Sequence, residues 1–140
     1  MDEKDRLLLT LLRRNARSSI VALARDLGLS RSATQDRLAR LVSSGAIAGF
    51  TTLEGADAGA RQCAYLMLTL APGRRCADVV PKLRKIPFVS LIHSLTGPID
   101  LLLRVDGDGI ADVEQARAAA AAVPGVASVA TSVLLDRHLG

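Results

Sequence analysis

Apolar residues in the first fifty positions recur three and four apart, whereas those beyond residue 60 largely alternate with polar ones. The first spacing is that of one helix face and the second that of a half-buried strand. Leu8, Leu9 and Leu12, flanked by Asp5 and Arg13, predict an amphipathic helix over about residues 3–14. The stretch Asn15-Ala16-Arg17-Ser18 breaks it. Ser19 is placed to cap a second helix through Val21, Leu23, Ala24 and Leu27, which stops at Gly28. Ser30 caps a third, in which Thr34, Leu38 and Leu41 form one stripe and which ends near Ser44-Gly45. Two short helices, a glycine turn and a separately capped third helix follow the grammar of a helix-turn-helix. A three-helix bundle with a merely solvated face would show the same spacing.

After Ile47 and Phe50 the stretch "TTLEGADAGARQ" is small, polar and glycine-containing, and residues 51–61 read as a hinge. Beyond it the order is strand (62–70), helix (75–86), strand (88–96), strand (99–105), helix (110–122) and strand (126–135). Gly97-Pro98 turns the chain between the middle strands, and Pro124-Gly125 ends the Ala-rich second helix. Pro81 suits a first helical turn better than an interior, so the helix of 75–86 is expected to start late or to bend. A βαββαβ order is the ferredoxin-like split unit, with both helices on one face of a four-stranded antiparallel sheet. The chain is therefore read as α+β: a helix-turn-helix domain (1–50), a hinge (51–61) and a ferredoxin-like domain (62–140).

The other sheet face carries a further implication. Ala64, Leu66, Leu68 and Leu70 alternate with Cys63, Tyr65, Met67 and Thr69, so the first strand is largely apolar on both sides. In the third strand Ile99, Leu101, Leu103 and Val105 oppose Asp100, Leu102 and Arg104. Helices cover one face only, and an uncovered apolar face seeks a partner. A homodimer packed sheet to sheet, or edge to edge, through the C-terminal domain is expected.

Charge placement sharpens the reading of the N-terminal domain. The net charge of +4 is not spread evenly, because residues 1–50 hold nine Lys/Arg against five Asp/Glu. A local basic surplus is the footprint of a polyanion partner. Phe50, Tyr65 and Phe88 are the only aromatic residues, too few for a base-stacking platform on single strands. Cys63 and Cys76 have no metal or redox spacing and sit in apolar patterns, as buried free thiols do in a reducing cytosol. Asp2, Glu3, Lys4 and Asp5 stand where a signal peptide would be hydrophobic, and no apolar run reaches membrane-spanning length. These features predict a cytoplasmic protein with no membrane partner.

The stretch "LARDLGLSRSATQDRLARLVSSGAIAGF" resembles the helix-turn-helix signature of the Lrp/AsnC family, the leucine-responsive or feast/famine transcription regulators. The matching positions are Leu23, Ala24, Gly28, Leu29, Ser30, Arg37, Leu38, Leu41, Gly45, Ile47, Gly49 and Phe50, together with Asp5 and Arg17. Ala22 stands where the family has Glu, leaving the Ser19 capping box incomplete. The resemblance spans nearly the whole chain. It implies a sequence-specific regulator of double-stranded DNA, acting as a homodimer or a higher assembly such as an octamer, with an amino-acid effector and no cofactor. The family's Gly-x-x-Asp turn becomes Gly97-Pro98-Ile99-Asp100, and its Thr-Arg-Thr run becomes Val129-Ala130-Thr131.

The third helix supplies the DNA chemistry. Ser30, Arg31, Ser32 and Gln35 can reach a major groove, where Arg pairs with guanine and Gln with adenine. Ser30 and the first-turn amides suit a phosphate, and Arg17, Arg37 and Arg40 are phosphate candidates. Arg37 serves equally as a structural partner for Asp26 or Asp36. Thr96, Gly97, Asp100 and Thr131 would line an effector site where dimers meet, with Asp100 either pairing an amino group or capping backbone amides of a tight turn. Pro98 has no amide to offer such a ligand.

Two rival functions are distinguishable. An architectural DNA-compacting protein without effector would bind regardless of sequence. Haem-biosynthesis decarboxylases resemble this family but work through histidines of the sheet domain. Here the histidines are His93, which shares a strand face with Val89, Leu91 and Leu95, and His138 at the tail. No nucleophile–base pair, carboxylate pair or metal cluster stands out in the sequence, so an enzyme is not expected.

Overall fold

A computed structural model describes residues 1–53 and 61–139. Contacts divide the chain between Leu53 and Glu54 into two compact units. Most of the hinge expected over 51–61 falls on residues 54–60, outside the described residues.

The first unit is three helices: α1 (Glu3–Arg14), α2 (Ile20–Leu27) and α3 (Arg31–Ser43). Each begins with a side chain that takes up an otherwise unpaired amide. Asp2 and Asp5 form a reciprocal capping box on α1, the Asp5 amide donating to Asp2 at 2.9 Å and the Asp2 amide to Asp5 at 3.1 Å. Ser19 accepts from the Ala22 amide and Ser30 from the Ala33 amide. Gly28 closes α2 at φ +64°, a left-handed conformation that costs glycine nothing, and its amide returns to α2 carbonyls. The core is Leu8, Leu12, Leu23, Leu27 and Leu41, with Leu38 and Ile47 packed against it. Thr34, fully buried, donates its hydroxyl to the Ser30 carbonyl at 2.9 Å, so the stripe of α3 is closed on the core without an unpaired polar group.

The second unit runs β1 (Gln62–Leu70), α4 (Cys76–Leu83), β2 (Val89–Ser94), β3 (Leu101–Gly107), α5 (Ile110–Ala121) and β4 (Val126–Val133). Its antiparallel sheet has the order β2-β3-β1-β4, as a ferredoxin-like split unit requires. Leu66, Leu68, Leu101, Leu103 and Val105 meet Val79 and Leu83 of α4 and Val113, Ala116 and Ala120 of α5 in one dry core. Small alanines let α5 lie close against the strands.

Several boundaries differ from the pattern. β2 starts at Val89 because Phe88, at φ +70°, still belongs to the turn, although its carbonyl already accepts the Asp106 amide of the neighbouring strand. β3 starts at Leu101 and runs to Gly107, since Asp100 belongs to the preceding turn. The fourth helix starts at Cys76 rather than late. Pro81 sits inside it, and the chain leaves through tight i→i+3 turns at Lys85 and Ile86. Pro81 lacks an amide, which leaves a carbonyl one turn back to water; the proline itself is exposed. A register shift between Val89 and Leu91 corrects the expected face of His93: Val89 pairs with Val105 on the core side, whereas Leu91 and His93 pair with Arg104 and Leu102 on the open side. Cys63 is buried as expected, while Cys76 is only half-buried.

Candidate nucleic-acid interface

In α3 the buried stripe of Thr34 and Leu41 leaves a broad outward arc. At 100° per residue that arc holds Arg31, Ser32, Gln35, Asp36, Ala39 and Arg40, all exposed. Arg31 and Gln35 are about one turn apart at its N-terminal end, and Arg40 is roughly one and a half turns beyond Gln35. Among the described residues none of these three makes an intramolecular side-chain hydrogen bond or ion pair. An open depression of about 620 Å³ lined by Ala33, Asp36, Arg37, Ala39 and Arg40 lies beside the arc. Ser30 is exposed at the helix start with its hydroxyl on the Ala33 amide and 3.3 Å from that of Ser32. Arg17, exposed before α2, has its amide held by the Asn15 side chain and its guanidinium unengaged among the described residues.

Arg37 behaves differently from its neighbours. It lies at the margin of the arc and its Nη1 donates to Asp2 at 2.7 Å and to Asp5 at 2.8 Å, both from the first turn of α1. Its structural partners are thus on α1 and not at Asp26 or Asp36; Asp26 is instead beside Arg25 at 3.4 Å. The Asp5 amide and the Arg37 guanidinium hold the Asp2 carboxyl below its ordinary value, and Arg37 followed by the Asp2 amide does the same for Asp5. These carboxylates raise Arg37 in turn. Lys4, also in the first turn of α1, donates to the Leu27 carbonyl at the end of α2. One turn of α1 therefore grips both helices of the helix-turn-helix pair.

Asp2 and Lys4 were not legible as site-supporting residues. The Asp2-x-x-Asp5 spacing is a local capping signal, but the reach to Arg37 spans more than thirty positions. Asp5 and Arg37 shared only their match to the family pattern.

The residues expected to hold an effector are not gathered by one chain. Thr96 and Gly97 lie in the turn after β2, at one edge of the sheet, and Gly97 takes φ +103° there. Thr131 is on β4 at the other edge, with β3 and β1 between. Asp100 accepts the Leu70 amide at 2.7 Å, its own amide donates to the Leu68 carbonyl, and its carbonyl accepts from Leu95. It is a backbone cap that stitches the β2–β3 turn to the end of β1, where the β1–β4 register shifts. Its second carboxylate oxygen makes no hydrogen bond among the described residues.

The sheet face away from α4 and α5 presents Tyr65, Met67, Leu91 and Leu102, all half-buried, with exposed His93 and Ala130. Arg104 crosses this face to Asp106 at 3.0 Å, and the Ser90 hydroxyl donates to the same carboxylate. Burial pushes the Asp106 carboxyl up, but Ser90 and Arg104 outweigh it and the net displacement is downward. The neighbouring Cys63 thiol is raised, first by burial and then by Asp106, which keeps it a poor nucleophile. Among the described residues no group of three or more His, Cys, Asp or Glu is placed to hold a metal, and no helix is long and apolar enough to cross a membrane.

A three-helix unit whose third helix keeps one polar arc exposed, joined to a ferredoxin-like unit, defines a helix-turn-helix regulator. Residues 1–42 match the AsnC-type helix-turn-helix domain and residues 63–139 match the Lrp/AsnC ligand binding domain; the chain belongs to the Lrp/AsnC family of transcription regulators. It is 27% identical to the HTH-type transcriptional regulator LysM of Saccharolobus solfataricus over 96% of this chain and 94% of that protein. It is 33% identical to an uncharacterized HTH-type transcriptional regulator of Pyrococcus abyssi, over 81% of this chain and 77% of that one. The solved feast or famine regulatory protein of M. tuberculosis, in complex with L-methionine, aligns with a TM-score of 0.87 at 25% identity, covering 99% of this chain and 95% of that one.

Proposed function

We propose that this chain binds duplex DNA in the cytoplasm by placing the N-terminal half of α3 in the major groove. Arg31 and Gln35 read base edges there, and Ser32 contacts the groove wall. Ser30, having its hydroxyl on the Ala33 amide, holds the start of the helix open to a phosphate. Arg17 and Arg40 meet phosphates on either side, while Arg37 sets the pose of α3 through Asp2 and Asp5 instead of touching DNA. The observation that carries this reading is the contrast on one helix: Arg37 is locked to α1, and Arg31, Gln35 and Arg40 face solvent with no partner in the described chain.

The open sheet face supports a homodimer, through which two α3 helices would meet half-sites about 34 Å apart. Higher assembly, up to an octamer, is compatible with the same face. An amino-acid effector is supported by the ligand-binding domain match and by the methionine bound to the M. tuberculosis relative. In this chain such a site would need more than one copy, because Thr96 and Gly97 are at the β2 edge of the sheet and Thr131 is on β4 at the other. Asp100 would offer its remaining oxygen to the ligand's amino group, and Pro98 offers no amide. A thermal-shift screen of free amino acids tests this: a specific rise supports the site, and a flat response assigns Asp100 to turn capping alone.

The DNA reading is tested by fluorescence anisotropy on a selected duplex. Arg31→Ala is expected to cost about 1–3 kcal/mol and to relax preference at one base. Arg40→Ala is expected to weaken all sequences alike and to reduce the salt slope by about one. Both variants binding at wild-type strength would overturn the docking.

A further inference from the structure

The second unit is nearly neutral as a whole, but its charges are segregated. Residues 72–86 hold five cations (Arg74, Arg75, Lys82, Arg84 and Lys85) against the single acid Asp78. All five are exposed, and they flank both ends of α4. The rest of the unit is net acidic, with Asp108, Asp112 and Glu114 at the start of α5.

Internal pairing does not account for the cations. Asp78 is engaged by the Arg75 amide at 2.9 Å and lies 3.8 Å from the Arg75 guanidinium. Among the described residues Arg74, Lys82, Arg84 and Lys85 have no acidic partner. Of the acids at the start of α5, Glu114 holds Arg117 through two bonds of 2.8 and 2.6 Å, and Asp112 accepts the Asp108 amide. Asp108 and Asp112 keep their charge, but two carboxylates of a second copy's α5 would leave most of the five cations unmatched. Helix electrostatics do not account for the arrangement either. Cations suit the C-terminal end of α4, but Arg74 and Arg75 stand at its N-terminal end, where the helix dipole disfavours them. Arg74 is also partly fixed, its stem lying close over the Gly125 turn.

From these observations we infer that the exposed side of α4 is a second, sequence-blind phosphate-binding surface for duplex DNA. The inference rests on the proposed DNA-binding function, which brings a duplex to this chain. Eight helical residues span about 12 Å, the axial length over which a duplex carries roughly seven charges. Two cation groups separated by that span suit a continuous polyanion better than a single anion. Lys82, Arg84 and Lys85 act as counter-charges to the backbone and read no bases.

The test uses the full chain and two triple variants. Lys82→Gln/Arg84→Gln/Lys85→Gln removes charge, and Lys82→Arg/Arg84→Lys/Lys85→Arg keeps it. Affinity for a duplex longer than the selected site is measured against salt. The neutral variant is expected to lower the slope by about one to three per bound chain, with its ranking of DNA sequences unchanged, while the charge-keeping variant matches wild type. Arg31→Ala in the same assay should alter the ranking and leave most of the slope. A neutral variant with the wild-type slope, on a wild type that binds DNA, overturns this inference and leaves the role of α3 standing. Loss of assembly in light scattering, with the slope unchanged, overturns it in favour of a protein-facing surface. No DNA binding by the wild-type chain defeats both readings.

Discussion

Arg37 and Arg40 are three positions apart on one helix, yet their surroundings give them different work. Arg37 is bound by two carboxylates and only a fifth exposed, whereas Arg40 faces solvent. The carboxylates of Asp2 and Asp5 titrate below the ordinary 3.8 in the folded chain. Their contribution to stability is therefore complete above about pH 4, and it fades as the pH falls through their folded values, because the unfolded chain then binds more protons. Arg37→Gln is expected to lower the melting temperature at neutral pH, with the gap to wild type closing as the pH falls below the ordinary carboxylate value. A gap independent of pH would show that the pair does not hold α3. Arg37→Lys, which keeps the charge but not the planar guanidinium whose Nη1 meets both carboxylates, should recover part of the loss.

At the level of elements, α2, its turn and α3 are specified by local signals. Ser19 and Ser30 each cap a helix, and Gly28 takes the one conformation that an L side chain resists. Gly28→Ala should cost about 1–2 kcal/mol in denaturant unfolding, since the left-handed backbone is retained with an added Cβ. An unchanged midpoint would mean that the turn can relax. These caps and stripes, with the βαββαβ order, were legible because each depends on residues within one or two turns. What was not legible depends on contacts far apart in sequence. Arg37 reaches α1, and Asp100 reaches Leu70 across thirty positions. The Val89–Leu91 irregularity moved Val89 to the core side, which strict alternation cannot anticipate. The exposed positions Arg31 and Gln35, proposed above as readers, were legible by elimination as polar positions opposite a leucine stripe. Their freedom from internal partners became visible only with the neighbouring side chains in place.

For the whole molecule, the proposed dimer through the open sheet face would connect assembly to DNA binding. Met67, Leu102 and Tyr65 present an apolar band that one chain leaves uncovered, crossed by the Arg104–Asp106 pair. Leu102→Glu would place an unpaired carboxylate in the centre of that band and is expected to give monomers in light scattering. Because the monomer engages one half-site at a time, its affinity for a paired site should fall by more than tenfold with base preference within each half-site intact. A stable dimer in that variant would move the interface elsewhere, for instance to the sheet edges.

Selection from a randomised duplex pool tests most directly whether the outward arc of α3 meets base edges. Wild type is expected to enrich paired half-sites one helical turn apart, and Arg31→Ala to enrich the same spacing with one position relaxed. A wild-type pool indistinguishable from its input, or an Arg31→Ala pool identical to that of wild type, would contradict that contact.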